Sequence, residues 1–539
     1  MEQQKEIKQK KPRTSFYHNV LQLILVGSVT GVFAGAITTA FTLLAERGEE
    51  LSQGAYAFIR ANPAWIPLWL FTLFAGAFII GVLVQISKII KGCGIPQSEG
   101  ATRGVLRFKW YRDATANFAA CLVSIFMGLS IGAEGPSAFI GACVGDGVAT
   151  TLRRNEMIKR YQITGGACTG LAVASNAPLT GIIFAFEEAH KRFTPEVFIC
   201  SFSSVVFGMV VRYGIYLLLG LEIRNAFESY QFHTLAFNAY GYVVAAGLVC
   251  GLLGVAFQKG TFALRKLFQK IRIKRQKYVH FLQIFIAVAI GGALALFVPG
   301  VMGGGHSIIE SIGTFGGTKE MQVESIFGAS AVGVLFIVLI AKFLITGVNV
   351  ASGIPCGIFI PIIAIGACLG GGLNGLWLRW GMNPQYCDLM VMICIAALFT
   401  SIVRAPLTAI VMICEFTGSF ASLLPAVIGV AIGYIVGEIF RTDGMYEELL
   451  EIYEQESGIH ERAVREVYAI AVAQGALAEK REVRDVLWPA GARVTEIHRG
   501  EEVILPDGDT VLRAGDMLTI VCRTDAPDKV KEDLVHILG

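Results

Sequence analysis

Long apolar segments are the feature that most restricts how this chain can fold. Each is long and apolar enough to cross the hydrocarbon core of a bilayer as a helix, and they occupy residues 20–44, 68–90, 197–219, 240–257, 281–297 and 326–344. Only 16% of the residues are charged, whereas soluble domains carry about a quarter. The sequence therefore predicts an all-α, polytopic membrane protein whose partner is the lipid bilayer.

Shorter apolar segments, such as residues 119–131 and 177–186, are interrupted or bounded by Gly, Pro or Glu. They are too short to cross a membrane alone. Because unpaired backbone groups cannot face lipid, such segments indicate broken intramembrane helices that are buried in protein or line a cavity.

Basic residues lie beside the apolar segments. Residues 1–19 are basic and no small-residue cleavage site follows the first apolar segment, so we expect a retained anchor and a cytoplasmic N-terminus. The basic stretch 265–277 predicts a second cytoplasmic loop. Flanking residues of this kind account for the net charge of +3, and we expect no nucleic-acid partner. The 12 cysteines form no CxxC pair or Cys/His cluster, so we expect no metal and no cofactor.

The composition changes near residue 450, where the apolar segments stop and charged residues become frequent. This change predicts a transmembrane domain over residues 20–450, a polar linker over 451–465 and a small cytoplasmic α+β domain over 466–539. Within that domain, strands are expected at residues 467–472, 493–497 and 517–521, a turn at 506–508 and a helix at 528–537.

The transmembrane part contains an internal duplication. Residues 132–136 and 357–361 both read G-x-[EF]-x-P, and each is followed five residues later by GAC-x-G. A second pair of segments, Ala-Pro-Leu-Thr at 177–180 and 405–408, is followed in both halves by a glutamate. Paired Gly/Pro-interrupted segments predict an inverted repeat, with halves over roughly 20–220 and 235–450, and a transport site near the midplane.

Helices that start inside the membrane leave backbone N–H groups without intrahelical partners. The positive end of the helix dipole adds to these donors, so such ends attract anions without a cationic side chain. The alternative is that the glycines only allow close helix packing.

These motifs resemble the CLC family of chloride channels and transporters, over nearly the whole transmembrane part. Residues 92–96 are similar to the family's GSGIP motif, residues 132–136 to GKEGP or GREGP, and residues 357–361 to GxFxP. The supporting positions are Gly92, Gly94, Ile95, Pro96, Gly132, Gly135, Pro136, Gly357 and Pro361. The resemblance implies a homodimer with one pathway per subunit.

The resemblance also implies which groups hold the central anion. They are the backbone N–H groups of Ile358 and Phe359, the hydroxyl of Tyr446 and the side chain of Cys93. Cys93 departs from the family pattern because it replaces the usual serine, and a thiol is a weaker donor than a hydroxyl. Anion affinity and selectivity are therefore open.

By the same resemblance, Glu134 is the external gating glutamate and Glu188 is the internal proton glutamate of the exchangers. Glu134 has no basic residue near it in sequence, and an intramembrane carboxylate is costly unless it can be neutralised or lines a polar path. Glu188 has an alternative interpretation as an exposed carboxylate paired with Lys191 or Arg192. Its neighbour Glu187 is expected to have a structural role.

The C-terminal domain resembles the TrkA-C domains of potassium-regulatory proteins, although an unrelated small α+β domain is an alternative.

Together these features predict a chloride/proton antiporter, not an enzyme. We expect it in a bacterial cell membrane, with cytoplasmic termini and a small ligand on the C-terminal domain. A passive chloride channel and a relative of altered anion selectivity, such as a fluoride exporter, are alternatives. A potassium channel is a further alternative, but the chain has no TVGYG-like filter. A membrane enzyme that uses His306 is another, but no nucleophile or metal ligand lies near this histidine in the sequence.

Overall fold

The computed structural model describes residues 13–154, 156–191, 193–223, 227–271, 278–313, 331–418, 420, 423–457, 464–489, 491–500, 502–524 and 527–539. The helices of the first repeat half are α1 (Arg13–Ala61), α2 (Ile66–Ile86), α3 (Ile95–Thr102), α4 (Trp110–Phe126), α5 (Glu134–Thr151), α6 (Glu156–Ser175), α7 (Pro178–Phe184) and α8 (Pro195–Leu219). Those of the second half are α9 (Tyr240–Gln269), α10 (Val279–Phe297), α11 (His306–Ile312), α12 (Ala331–Ser352), α13 (Phe359–Trp377), α14 (Cys387–Val403), α15 (Pro406–Thr417) and α16 (Leu423–Ile439). They are followed by α17 (Met445–Ser457), β1 (Val464–Ala471), β2 (Ala492–Arg499), β3 (Glu502–Ile504), β4 (Met517–Thr524) and α18 (Pro527–Leu538).

Within the described residues, 8 helices are long and apolar enough to cross a membrane. All the segments predicted as spans overlap one of them, although residues 326–330 lie outside the described residues. Two further candidate spans, Phe359–Trp380 and Pro384–Val403, are 89% and 94% buried inside the protein. The structure is therefore a multi-pass helical membrane protein with an inner layer of helices shielded from lipid.

The two halves meet at the starts of matched helices. The helix pair α5 and α6 of the first half corresponds to α13 and α14 of the second, and in each pair the helices pack together. The backbone N–H of Gly132, before α5, donates to the carbonyl of Gly357, before α13, at 2.8 Å. The N-terminal ends of α5 and α13 therefore converge inside the protein, as expected for an inverted repeat.

The C-terminal domain is an antiparallel 4-stranded sheet of order β1-β4-β2-β3, with α18 packed beside β1. The strands expected at 467–472, 493–497 and 517–521 correspond to β1, β2 and β4, and the helix expected at 528–537 corresponds to α18. Strand β3 was not predicted, since it has only 3 residues.

The segment expected to be a polar linker, 451–465, differs at both ends. Helix α17 continues to Ser457 and β1 begins at Val464, while residues 458–463 lie outside the described residues. The helix continues because Leu449, Leu450 and Tyr453 are buried along it.

The C-terminal domain also contacts the transmembrane part away from α17. The Arg481 guanidinium lies 2.5 Å from the Glu196 carboxylate in the first turn of α8. On α6, Arg160 donates to the carbonyl of Trp488 at 3.0 Å. The domain is therefore attached to the transmembrane part both through the chain and by this second contact.

Candidate anion and proton pathway

Glycines allow the starts of three helices to approach one another closely. A Cβ atom at Gly135 would lie 2.2 Å from the carbonyl oxygen of Cys93, and one at Gly357 would lie 2.3 Å from that of Gly132. Gly94 has φ +83°, and a Cβ there would lie 2.4 Å from the carbonyl oxygen of Gly135. Backbone–backbone contact of this kind leaves no room for a side chain at these positions. Both interpretations of the motif glycines therefore apply, because the glycines permit close packing and that packing brings the helix ends together.

The residues expected to supply backbone donors lie at the start of α13. Ile358 directly precedes Phe359, the first residue of α13, and both are buried. Ile95 and Pro96 begin α3 and are buried as well. The first N–H groups of each helix have no intrahelical acceptor, so both helix ends present donors to the same interior region.

Glu134 is the first residue of α5 and is fully buried. Neither of its carboxylate oxygens makes a hydrogen bond of normal geometry among the described residues, and the N–H groups of Glu134 itself and of Ile360, in the first turn of α13, lie near the carboxylate. The nearest basic group is the imidazole of His306, whose Nε2 lies 3.9 Å from Oε1 of Glu134. The sequence analysis found no partner for Glu134 because His306 is far away in the chain and is brought close only by the fold.

Tyr446 lies in the first turn of α17, fully buried, and its hydroxyl has no partner in the described part of the chain. The Cys93 thiol and the carboxyls of Glu188 and Glu134 all lie within electrostatic range of this hydroxyl. The structure therefore brings Cys93 and both predicted proton residues, Glu134 and Glu188, near Tyr446.

Cys93 has a neighbour that the sequence analysis missed. Its thiol contacts that of Cys356, and the N–H of Cys356 donates to the carbonyl of Gly92 at 2.9 Å. Both thiols are reduced and buried. The side chain that replaces the family's serine therefore belongs to a thiol pair, which no local sequence signal indicates.

Glu188 lies on a single π-helical turn, Ala185–Ala189, that extends α7. Such turns are rare and often mark functional positions. The residue is only 3% exposed, which contradicts the alternative of an exposed carboxylate. Arg192, one of the two ion-pair partners named in that alternative, lies outside the described residues.

Glu99, on α3, is a second buried carboxylate that faces Glu188, and the sequence analysis did not identify it. It is fully buried, and neither of its carboxylate oxygens has a hydrogen-bond partner within the described ranges. Its position three residues after Pro96, within a buried helix, is the signal that could have revealed it.

Lys191 and Arg103 form ion pairs with Glu447 on α17, not with Glu188. Burial alone would raise the pKa of Glu447, but hydrogen bonds from Arg103 and Lys191 outweigh burial and lower that pKa to about 2. Glu447 is therefore ionised at neutral pH. Glu447, Lys191 and Glu188 line a cavity of about 460 Å³, which gives Glu188 a route to solvent.

Glu187 and Glu415 form a reciprocal contact between the two halves. The Glu187 carboxylate accepts hydrogen bonds from the N–H groups of Leu407 and Thr408 at 2.7 and 2.6 Å, at the start of α15. The Glu415 carboxylate accepts the equivalent bonds from Leu179 and Thr180 at 2.6 and 2.7 Å, at the start of α7. Each glutamate therefore caps the other half's helix, which confirms the structural role expected for Glu187.

Comparison with known proteins identifies the family. The model of the voltage gated chloride channel family matches residues 75–438. The chain belongs to this family. A TrkA-C domain matches residues 467–534 of this CLC protein, so the C-terminal resemblance is confirmed as well.

Relatives of the chain cover most of the transmembrane part. The chain is 29% identical to the "H(+)/Cl(-) exchange transporter ClcA" of Vibrio cholerae serotype O1 (strain M66-2), over 79% of this CLC chain and 89% of the relative. Among solved structures, a slow cyanobacterial Cl⁻/H⁺ antiporter matches with a TM-score of 0.70 at 22% identity, covering 81% of this chain and 99% of the other. A CLC-type fluoride/proton antiporter matches with a TM-score of 0.61 at 20% identity, covering 80% and 98%. At these identities the structural matches establish the CLC fold.

Proposed function

We propose that this protein is a secondary active antiporter that exchanges chloride for protons. The observation that carries the proposal is the buried, unpartnered Glu134 carboxylate at the convergence of α5 and α13. A carboxylate at this position competes with a chloride ion for the same helix-end donors. Protonation removes its charge and lets the anion take its place.

The proton and anion routes share one end of the pathway and separate at the other. In this proposal chloride passes the donors of Ile358 and Phe359, the Tyr446 hydroxyl and Cys93. The proton moves between Glu134 and Glu188, and from Glu188 to the cavity that it lines. Glu447 cannot replace Glu188 as the carrier, because Arg103 and Lys191 hold it ionised.

Two alternatives share this fold. A passive chloride channel would need no buried internal carboxylate, and the buried position of Glu188 favours exchange over that reading. A transporter of altered anion selectivity is favoured by Cys93, which offers a weaker donor than serine to the central anion. The names of the relatives include both chloride and fluoride antiporters.

The wider assignments rest on the family and on charge. We place the protein in a bacterial cell membrane as a homodimer, with both termini and the cavity beside Glu188 on the cytoplasmic side. The TrkA-C domain is assigned a regulatory role, with a small cytoplasmic ligand. It does not form the pathway, since its charged surface bars it from the bilayer.

Flux from proteoliposomes tests the proposal. Chloride, fluoride and potassium gradients are compared while the internal pH is recorded. In the wild type, a chloride gradient should drive protons across the membrane in the opposite direction to chloride. A potassium gradient should not drive protons. Chloride movement without proton movement would select the channel, and faster fluoride than chloride exchange would select altered selectivity.

Glu188→Ala separates the two branches of the pathway. The variant should keep chloride movement and lose proton movement, because only the proton needs a titratable carrier at this position. Exposed Glu438, which also lines the cavity, provides the matched control as Glu438→Ala. Full proton coupling in Glu188→Ala would remove Glu188 from the proton route.

A further inference from the structure

We infer that His306 is the proton relay between Glu134 and solvent on the face of the protein opposite the C-terminal domain. This inference rests on the proposed exchange function. Glu134 is fully buried, so a proton needs a carrier that reaches both its carboxylate and water. The His306 side chain is 47% exposed, and its Nε2 lies 3.9 Å from Oε1 of Glu134.

The location of His306 follows from α1, which runs through the whole transmembrane part. Gly27, near the start of α1, packs against Cys200 of α8, and Glu196, one turn earlier on α8, pairs with Arg481 of the C-terminal domain. Glu46 and Glu49 lie roughly 30 Å further along α1, and Glu46 faces His306. His306 therefore opens to the side opposite the C-terminal domain, while Glu188 opens to the cavity beside α17.

The loop before His306 is held in place from two sides. The Lys342 ammonium donates to the carbonyls of Val301 and Gly303 at 3.1 and 3.0 Å. The Glu49 carboxylate packs against Gly303, where a Cβ would lie 2.1 Å from its Cδ. A fixed loop keeps the imidazole at the mouth of the pathway, which a proton relay requires.

The matched helix of the other half has an apolar residue at the position of His306. Both α3 and α11 follow a glycine with positive φ, Gly94 at +83° and Gly305 at +99°. The first residue of α3 is the buried, apolar Ile95, whereas the first residue of α11 is His306. The two caps differ in ψ, which is −44° at Gly94 and 22° at Gly305, but both starts place their first side chain at the junction of the halves, and only α11 places an imidazole there.

The charges around His306 allow it to carry a proton transiently. Glu134 faces it from α5, Glu46 from α1 and Glu310 from α11 itself, and Lys342 faces it from α12. The charge of Lys342 is opposed by Glu49, and that of Glu46 by Arg212. Burial outweighs the acidic neighbours and lowers the pKa of His306, so the imidazole starts neutral and an imidazolium ion releases its proton readily.

The transfer itself is balanced. The neutral imidazole Nε2 takes the proton of the Glu134 carboxylic acid, which leaves a carboxylate and an imidazolium, and the imidazolium then gives a proton to water. The reverse sequence loads Glu134. A separation of 3.9 Å exceeds a hydrogen bond, so the proton passes through one intervening water or after a small side-chain rotation.

The test compares coupled exchange in proteoliposomes of the wild type, His306→Ala and His306→Gln. Loss of the relay should slow proton-coupled exchange by about tenfold or more, and imidazole added on the side of His306 should restore part of the rate to His306→Ala. Ser307→Ala, at the adjacent exposed position, is the matched control and should exchange at the wild-type rate. His306→Gln retains a polar side chain in case the alanine variant fails to fold.

A second background separates relay from structure. In Glu134→Gln the gate no longer titrates, so adding His306→Ala should leave chloride flux unchanged. The relay alone would be overturned if His306→Ala slows chloride flux by the same factor with Glu134 and with Glu134→Gln. It would also be overturned if His306→Ala and His306→Gln both exchange at the wild-type rate. A wild type that moves chloride without protons would overturn the exchange function and the relay with it.

Discussion

At the scale of single residues, the pathway is marked by buried polar atoms that have no partner. Glu134, Glu99 and Tyr446 all have side-chain oxygens without hydrogen bonds in the described part of the chain. Burying such a group without a partner costs free energy in a folded protein. Glu134 begins α5, Glu99 lies on α3 and Tyr446 lies in the first turn of α17, and in a transport site passing ions and protons supply the missing interactions.

Glu134→Gln should mimic the protonated gate. Chloride flux should persist, while its dependence on pH and its coupling to protons are lost, because glutamine has about the size of glutamic acid but cannot release a proton. Chloride flux and internal pH in proteoliposomes between pH 5 and 8 would measure both effects. Glu50→Gln, an exposed position on α1 that pairs with Arg47, is the control and should behave as wild type. Retention of proton-coupled transport in Glu134→Gln would show that the gate lies elsewhere.

What the sequence revealed at this scale depended on whether a residue lay in a motif. Glu134 and Cys93 lie inside Gly/Pro motifs whose spacing fixes their position, and the duplication drew attention to Glu187. Cys356 and His306 act through neighbours that are distant in the chain. His306 lies in none of the duplicated motifs, and its proximity to Glu134 arises from the packing of α11 against α13.

At the scale of elements, the helix starts were predicted better than the helix ends. Pro and Gly mark where α3, α7 and α15 begin, whereas α1 extends well past its apolar segment to Ala61. The sequence could not define the end of α1, since its later turns are polar and are held by packing against other helices. The inner candidate span Pro384–Val403 was not predicted, although its mean hydropathy of 2.1 equals that of Val20–Ala61; that it is buried in protein and not in lipid cannot be read from its composition.

The reciprocal caps of α7 and α15 should contribute to stability. Glu187→Gln and Glu415→Gln should each lower the apparent unfolding temperature in detergent, with a loss of about 1.5–3 kcal/mol expected for weakening hydrogen bonds to a charged acceptor. The two losses should be similar because the contacts are equivalent. Thermal unfolding monitored by tryptophan fluorescence provides the measurement.

Glu438→Gln is the matched control for the caps, since this glutamate is 60% exposed and pairs only loosely with Arg404 at 3.6 Å. It should unfold at the wild-type temperature. If Glu187→Gln and Glu415→Gln unfold at the same temperature as this control, the caps do not stabilise the contact between the halves.

At the scale of the whole molecule, the C-terminal domain holds the transmembrane part at two places. Helix α17 joins Tyr446 to the domain through the chain, and Arg481 pairs with Glu196 on α8. A ligand that favours one arrangement of the domain can therefore bias Tyr446, but only by its difference in affinity for the two arrangements. The sequence indicated the first connection. The second could not be predicted, because it joins surfaces that are far apart in the chain.

Charge reversal tests the second connection. Arg481→Glu and Glu196→Arg should each change the rate of chloride transport by about fivefold or more, since these side chains are only 26% and 25% exposed and a fully exposed ion pair is already worth up to about 1 kcal/mol. The double reversal should return the rate to that of the wild type. Arg484→Glu, an exposed position on the same domain, should have no effect. Complete loss of transport in folded single variants would instead make the domain part of the permeation pathway.

The reciprocal caps also bear on how such a chain could arise by gene duplication. A half-length ancestor that paired with an identical copy would form both caps from one glutamate, because two-fold symmetry repeats every contact. In such a dimer, any substitution appears at both equivalent sites. Fusion of the copies into one chain removes that constraint, so Glu134 can stand where the other half has Phe359, and His306 where it has Ile95. A route with different chemistry at its two ends is available only to the fused chain.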